Sequence, residues 1–336
     1  MRYYILVILS ALCYAVQFAV NKLYQTKKGS AIETSLKFLA LKGGVAACVF
    51  FIVAWIIYGK PLTVTPMSVL LACITSVLAC GCFIVGFVIF KYGSMSVFST
   101  FLMIGGMTLP FIYSAFRGEE LGAFKICGIV LLILSLVMSL LGKEKGERKS
   151  VKSASVFVLL CAAVFIFNGC VSVFSSIHSG DDFLWFTDLT LGRLFPNISR
   201  ERVQGVEFTV LVNIANCIFC SAALGIVTLV QRLGDKRALA EIPNEKTPSK
   251  IHSKGKEAIF LFLLIAACAV LDALAFVLMR IVDGSGEIVA SKYPIQTAFT
   301  VLLSALAGFV AFRERPDKWG LWGLAVTFLS TMLFII

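Results

Sequence analysis

Apolar residues run on for about twenty positions ten times over, at roughly 3–24, 36–58, 66–90, 94–115, 122–142, 154–175, 207–231, 257–281, 287–312 and 317–336. About twenty apolar residues in helical conformation span the hydrocarbon core of a bilayer. This spacing predicts an all-α integral membrane protein of ten transmembrane helices. The composition agrees, with 59% hydrophobic and only 15% charged residues among 336. A soluble domain carries about 25% charged residues. A net charge of +11 would also suit nucleic acid. Here, however, the basic residues lie mostly in the short gaps between apolar runs, as in cytoplasmic loops of a membrane protein. No nucleic-acid partner is therefore expected. Residues 3–20 are apolar without a small-residue cleavage site, so they read as a retained first span and not a removed signal.

Nearly all eleven cysteines lie inside apolar runs. Cys217-Ile-Phe-Cys220 has the CxxC spacing, but inside a membrane helix such residues are more often small packing groups. Both histidines, His178 and His252, read as loop residues, which takes the commonest metal ligand and general base out of the membrane. No HExxH and no phosphate-cradling loop ending in Gly-Lys-Ser/Thr occurs. Neither metal, cofactor nor ATP is expected, and the chain reads as a non-enzyme. Three loops are longer and polar, at 142–152, 176–206 and 233–257. The second contains DDFLWFTDLTLGRLF, an amphipathic surface-helix pattern, and a sequon at Asn197 with no expected consequence.

The chain also repeats itself. Shifted by 195, Glu119 falls on Glu314, Phe124 on Trp319, Gly128 on Gly323, Leu134 on Leu329 and Ser135 on Ser330. Shifted by 151, Leu9 meets Leu160, Ala11 meets Ala162, Tyr14 meets Phe165, Gln17 meets Asn168 and Asn21 meets Ser172. The expected organisation is one five-helix repeat at 1–142, a basic connection at 143–152 and a second five-helix repeat at 153–336. Five crossings is odd, so the halves would be inverted, an architecture that places a substrate near the midplane between them.

The segments GGMTLPFIYSAFRGEELGAFKICGIVLLILS and LLSALAGFVAFRERPDKWGLWGLAVTFLS resemble the paired motifs of the drug/metabolite transporter superfamily, EamA-like branch. Each has a Glu just after a span, the fourth for Glu119 and the ninth for Glu314, and a Gly nine residues on: Glu119/Gly128 and Glu314/Gly323. CYAVQFAVNKL is similar to the family's first span, with Tyr14-Ala15 where an aromatic-Gly pair is usual, then Gln17 and Lys22. The resemblance implies a multi-pass secondary transporter in the cytoplasmic membrane and leaves the substrate open. It also suggests cytoplasmic termini. The charge count says the opposite. Seven Lys and Arg lie on the terminal side and nineteen on the other, and the positive-inside rule places the richer side in the cytoplasm.

Polar residues recur at three- and four-residue steps, which puts them on single helix faces. Such stripes are Ser10, Tyr14, Gln17, Asn21 in the first span, Cys161, Phe165, Asn168, Ser172 in the sixth and Lys292, Gln296, Thr300, Ser304 in the ninth. Asn213, Asn216/Cys217 and Cys220 form another in the seventh. Hydrogen bonding between membrane helices accounts for many such groups. Lys37 and Arg280 lie near span ends, where they can snorkel. Lys42 and Asp272 lie deeper, which fits an ion pair as well as a site.

The functional expectation is a central cavity. Lys42 or Lys292 would hold a carboxylate or phosphate. Gln17, Asn21, Asn168, Asn213 and Gln296 would orient it, with Tyr14, Phe165 and Tyr293 as walls. Asp272 would couple protons or neutralise a cavity lysine. Gly105, Gly106 and Pro110 in the fourth span and Pro294 in the ninth would provide bends. The expected partners are membrane lipid and an anionic or zwitterionic small molecule such as an amino acid. Export of cationic compounds is the alternative. A receptor or scaffold and a membrane-embedded enzyme are more remote. A homodimer stays open.

Overall fold

The computed structural model describes residues 2–29, 31–92, 95–118, 122–141, 151–180, 182–195, 197, 199–238, 254–284, 292–314 and 318–334. Twelve helices make up the described chain: α1 (Arg2–Lys28), α2 (Ile32–Tyr58), α3 (Pro66–Tyr92), α4 (Met95–Phe116), α5 (Ala123–Leu141), α6 (Val151–Ser179), α7 (Asp182–Leu189), α8 (Leu191–Leu194), α9 (Gly205–Ala238), α10 (Lys254–Gly284), α11 (Lys292–Phe312) and α12 (Lys318–Leu333). There is no strand among the described residues.

Among these residues nine helices are long and apolar enough to cross a membrane. That is a helical, multi-span membrane architecture. The expected tenth span corresponds to α12, of which sixteen residues are described. At about 1.5 Å per residue these cover roughly 24 Å. Segment 176–206, expected as a loop with a surface helix, holds the two short helices α7 and α8. Most of 142–152 and 233–257 lies outside the described residues, as do His252 and Glu119.

Local chemistry fixes several helix ends. At the start of α9, Glu207 turns back to accept the Gln204 backbone N–H at 3.0 Å and takes the Thr63 N–H at 3.1 Å. A carboxylate there satisfies amides that the first turn leaves without partners. After α4, Gly118 adopts φ +87°, and after α11 Arg313 adopts φ +56°. These positions are 195 residues apart, the offset of the sequence repeat. The same left-handed stop is thus made by glycine once and by arginine once. A β-carbon in this region costs about 1–2 kcal/mol. Arg313→Gly is therefore expected to raise the thermal unfolding midpoint, with a gain of about 1 kcal/mol after the extra chain entropy of glycine is subtracted. Circular dichroism melting in detergent would check this.

Helix packing follows a closed circuit. α1 packs on α10, α10 on α2, α2 on α9, α9 on α3, α3 on α6, α6 on α4, α4 on α11 and α11 back on α1. α5 and α12 pack on each other, and α11 also touches α12. The α2–α9 crossing is close because Gly43 has no side chain. A β-carbon there would lie 3.0 Å from both the Asn213 carbonyl oxygen and the Cys217 nitrogen.

One end of the circuit is filled. Aromatic rings from α1 meet rings from α2, α3 and α4: Phe18 with Phe98, Tyr24 with Phe38 and Phe87, and Phe90 with Phe98 at 4.8 Å between centroids. This is the end away from the chain termini. α6 makes no comparable contact with α10 or α11 among the described residues.

Candidate functional site

The first-span stripe becomes the inner face of α1. Ser10, Gln17 and Asn21 are all buried there, while Tyr14 is half-buried. α10 runs antiparallel beside it and carries Asp272. Gln17 donates a hydrogen bond from Nε2 to Asp272 Oδ1, and Nε2 also lies 3.4 Å from the Cys268 carbonyl oxygen. The Cys268 thiol in turn donates to Asn21 Oδ1 at 3.5 Å. Lys42 enters from α2, with Nζ 2.6 Å from Asp272 Oδ2. Its ammonium also lies 5.0 Å from the centroid of the Phe83 ring on α3. Lys42 directly precedes Gly43, where α2 and α9 cross closely.

The two charged side chains are only 10% and 22% exposed, for Lys42 and Asp272 respectively. Each buried ion costs several kcal/mol in lost solvation, recovered only when the partner and its hydrogen bonds are well placed. Asp272 has both oxygens engaged, one by Lys42 and one by Gln17. The result is a neutral, hydrogen-bonded centre between α1, α2 and α10. A ligand with a carboxylate can replace the Asp272 carboxylate on Lys42, because the two groups make the same charge-assisted bond.

The other expected site residues lie elsewhere. Gln296 donates to Ser10 Oγ and so ties α11 to α1. Ser304 and Ser99 share a hydrogen bond at 2.5 Å between α11 and α4. Thr300, between them on the α11 stripe, is buried with its hydroxyl unpartnered. Tyr293 is 58% exposed. The side chain of Lys292 lies outside the described residues. α11 is described from Lys292, so Pro294 falls in its first described turn.

Asn168 donates to the Leu102 carbonyl at 2.6 Å and joins α6 to α4. Asn213 donates within its own helix to Thr209 at 2.9 Å. Neither contact reaches the Lys42–Asp272 centre. Gly105 and Gly106, expected as a bend, are used for close packing. A β-carbon at Gly105 would meet the Phe165 carbonyl oxygen at 2.3 Å, and one at Gly106 would meet Asn168 Nδ2 at 2.7 Å. Pro110 sits inside α4, which continues from Met95 to Phe116.

Three features escaped the sequence reading. His178, expected in a loop, lies in the last turn of α6 at 1% exposure, stacked 3.7 Å from Phe208 and 3.2 Å from Ser68 Oγ. Its aromatic surroundings in HSGDDFLWF gave a weak signal. Near the filled end, Lys22 of α1 pairs with Glu314 beyond α11, and Glu314 accepts the Met95 backbone N–H at 3.0 and 3.1 Å. Near the other end, Asp182 of α7 accepts from Tyr113 at 2.8 Å and pairs with Arg117 at 2.7 Å. Lys22 and Glu314 had each been singled out by motif, but pattern alone does not pair residues 292 positions apart.

A cavity of about 700 Å³ opens between α1, α2, α9 and α10 near the filled end, lined by Tyr24, Lys28, Lys37, Leu224, Glu257 and Ile265 among others. Its lining does not include Lys42, Asp272 or Gln17. The ion-pair centre and not this groove is the better candidate site, because only the centre concentrates buried charge. Among the described residues no group of three potential metal ligands occurs.

No family model matches the chain, and no curated protein matches its sequence. A solved structure described only as "Crystal structure of protein" is similar in fold, with a TM-score of 0.54 and 16% identity over 97% of this chain and 95% of that one. At this identity the likeness concerns the fold alone.

Proposed function

We propose that this protein is a secondary transporter of the drug/metabolite superfamily, EamA-like branch, and that it moves an anionic or zwitterionic small metabolite by alternating access between two inverted five-helix halves. The observation that carries the reading is the buried Lys42–Asp272 pair, with Gln17 on the other carboxylate oxygen. An intramembrane ionisable pair is by default a functional site. This one joins helices from the two sides of the repeat boundary.

The exchange of contacts supports inverted halves. If α1–α5 correspond to α6, α9, α10, α11 and α12, then α1 on α10 mirrors α6 on α3, α1 on α11 mirrors α6 on α4, and α2 on α10 mirrors α9 on α3. The matched left-handed stops at Gly118 and Arg313 add to this. Ring clusters lie toward both ends: that of α1–α4 at the Lys22 end, and Phe174, His178, Phe183 and Phe208 where α6, α7 and α9 meet at the terminal end.

In the mechanism, the empty site is neutral because Asp272 holds Lys42. A substrate carboxylate displaces Asp272 from Nζ, and Gln17 keeps the displaced carboxylate oriented. A proton delivered to Asp272 would then leave one net charge fewer to carry across, which couples protons to substrate. A substrate amino group would meet the freed Asp272, which is why a zwitterion fits as well as an anion.

The test is a thermal-shift screen of the purified protein over amino acids, organic acids, phosphates and cationic dyes. Amino acids or anions are expected to raise the unfolding midpoint of the native protein and not of Lys42→Ala. Stabilisation by cationic dyes alone would sink the anion assignment in favour of cation export. If Lys292→Ala, and not Lys42→Ala, abolishes the shift, the site belongs on α11.

A further inference from the structure

The Cys80 and Cys220 sulfurs lie 2.8 Å apart, across the contact between α3 and α9. Cys80 is 8% exposed and Cys220 1%. Both sit in an apolar cluster with Leu36 and Leu39 of α2, and Asn216 Oδ1 lies 3.5 Å from the Cys80 sulfur. Cys217, the other member of the CxxC spacing, is directed elsewhere: its sulfur would lie 3.5 Å from a β-carbon at Gly44 on α2. The thiol pair that matters is therefore formed between helices 140 residues apart and not within the CxxC segment.

We propose that Cys80 and Cys220 are a dithiol that a small two-electron oxidant such as hydrogen peroxide converts to a disulfide, stapling α3 to α9 inside the membrane domain. The first thiol, once it has lost its proton, attacks the peroxide O–O bond. It becomes a sulfenic acid and releases one oxygen as water. The second sulfur then displaces the hydroxyl group, again as water, and closes the S–S bond. Two thiols and one peroxide give one disulfide and two waters. Each sulfur loses one electron to the peroxide oxygens. Peroxide is small and neutral, and no other reagent need enter the apolar cluster. Thiol reductants reverse the bond.

The staple would join the segment before residue 142 to the segment after it at mid-membrane depth. A bond closing so long a loop removes unfolded-state entropy, so it should also stabilise the fold. The contact itself does not depend on the transport reading.

The experiment uses the purified full-length protein with the exposed Cys48 and Cys127 changed to Ser. It is treated with hydrogen peroxide and separately with diamide, then alkylated and mapped by mass spectrometry. A Cys80–Cys220 cross-linked peptide is expected, with two free thiols fewer, an unfolding midpoint several degrees higher, and return to the starting state in dithiothreitol. Cys80→Ser and Cys220→Ala should each abolish the cross-link, while Cys217→Ser should keep it. No cross-link under either oxidant, over-oxidation without one, or a bond that uses Cys217 would overturn the pairing. A Cys80–Cys220 bond that leaves the midpoint unchanged would overturn the staple.

Discussion

Asp272→Leu is expected to destabilise the protein by about 3–5 kcal/mol, because it leaves the buried Lys42 ammonium without its counter-charge. Lys42→Met should cost a similar amount for the converse reason. The double variant Lys42→Met, Asp272→Leu should lose far less than the sum, since an apolar pair of similar volume needs no solvation. A coupling energy of about 0.5–3 kcal/mol from such a cycle is the signature of direct contact. Simple additivity would show that the two groups do not meet. The same variants separate structure from function. Asp272→Asn keeps a hydrogen-bonding group for Gln17 but frees Lys42 from competition. Anion binding should then tighten, by about tenfold if the lost competition is worth 1.4 kcal/mol. Isothermal titration with the ligand found by thermal screening would read this. Weaker binding in Asp272→Asn would place the substrate on Asp272 and not on Lys42.

The sequence made the element inventory legible and left the pairings obscure, for a physical reason. A span is a local property: twenty apolar residues commit a segment whatever its neighbours are. A polar stripe is local too, and Ser10, Gln17 and Asn21 do share a buried face. The partner of a stripe is not local. Gln17 and Lys42 were each visible, as was Asp272, but only packing of α10 between α1 and α2 makes them one centre. The fourth-span glycines show the same limit in reverse. Gly105-Gly106 with Pro110 reads as a bend, and the sequence does not show that Phe165 and Asn168 come close against the two glycines. His178 misled because a histidine near polar residues suggests a loop. The aromatic ring it stacks on, Phe208, is thirty residues away.

Glu314 shows how much one side chain can organise when three helices end near it. It follows the left-handed stop at Arg313, its backbone N–H returns to the Gly308 carbonyl at 3.1 Å, and its carboxylate lies back over Gly308. From there it pairs with Lys22 and caps the first residue of α4. Lys22 is also near the rings of Phe90 and Phe312, at 5.9 and 5.1 Å. Lys22 and Glu314 are only 13% and 11% exposed, so removing one charge leaves the other in a poorly solvated place. Glu314→Ala is expected to cost about 3–5 kcal/mol from the broken pair and about 1 kcal/mol more from the lost cap. Glu314→Gln separates the two contributions: its amide carbonyl still accepts the Met95 N–H, so the α4 end should stay protected while the ion-pair loss remains. Hydrogen exchange at the first turn of α4 distinguishes them, with fast exchange expected in Ala and slow exchange in Gln. Equal protection in both would mean that Glu314 does not hold the start of α4. If the filled end is the closed gate of a transporter, both variants should also weaken it, and Cys introduced at Phe98 should become more reactive toward a water-soluble maleimide. Unchanged reactivity in a folded Glu314→Gln protein would show that the Lys22–Glu314 pair ties helices together without guarding the cavity.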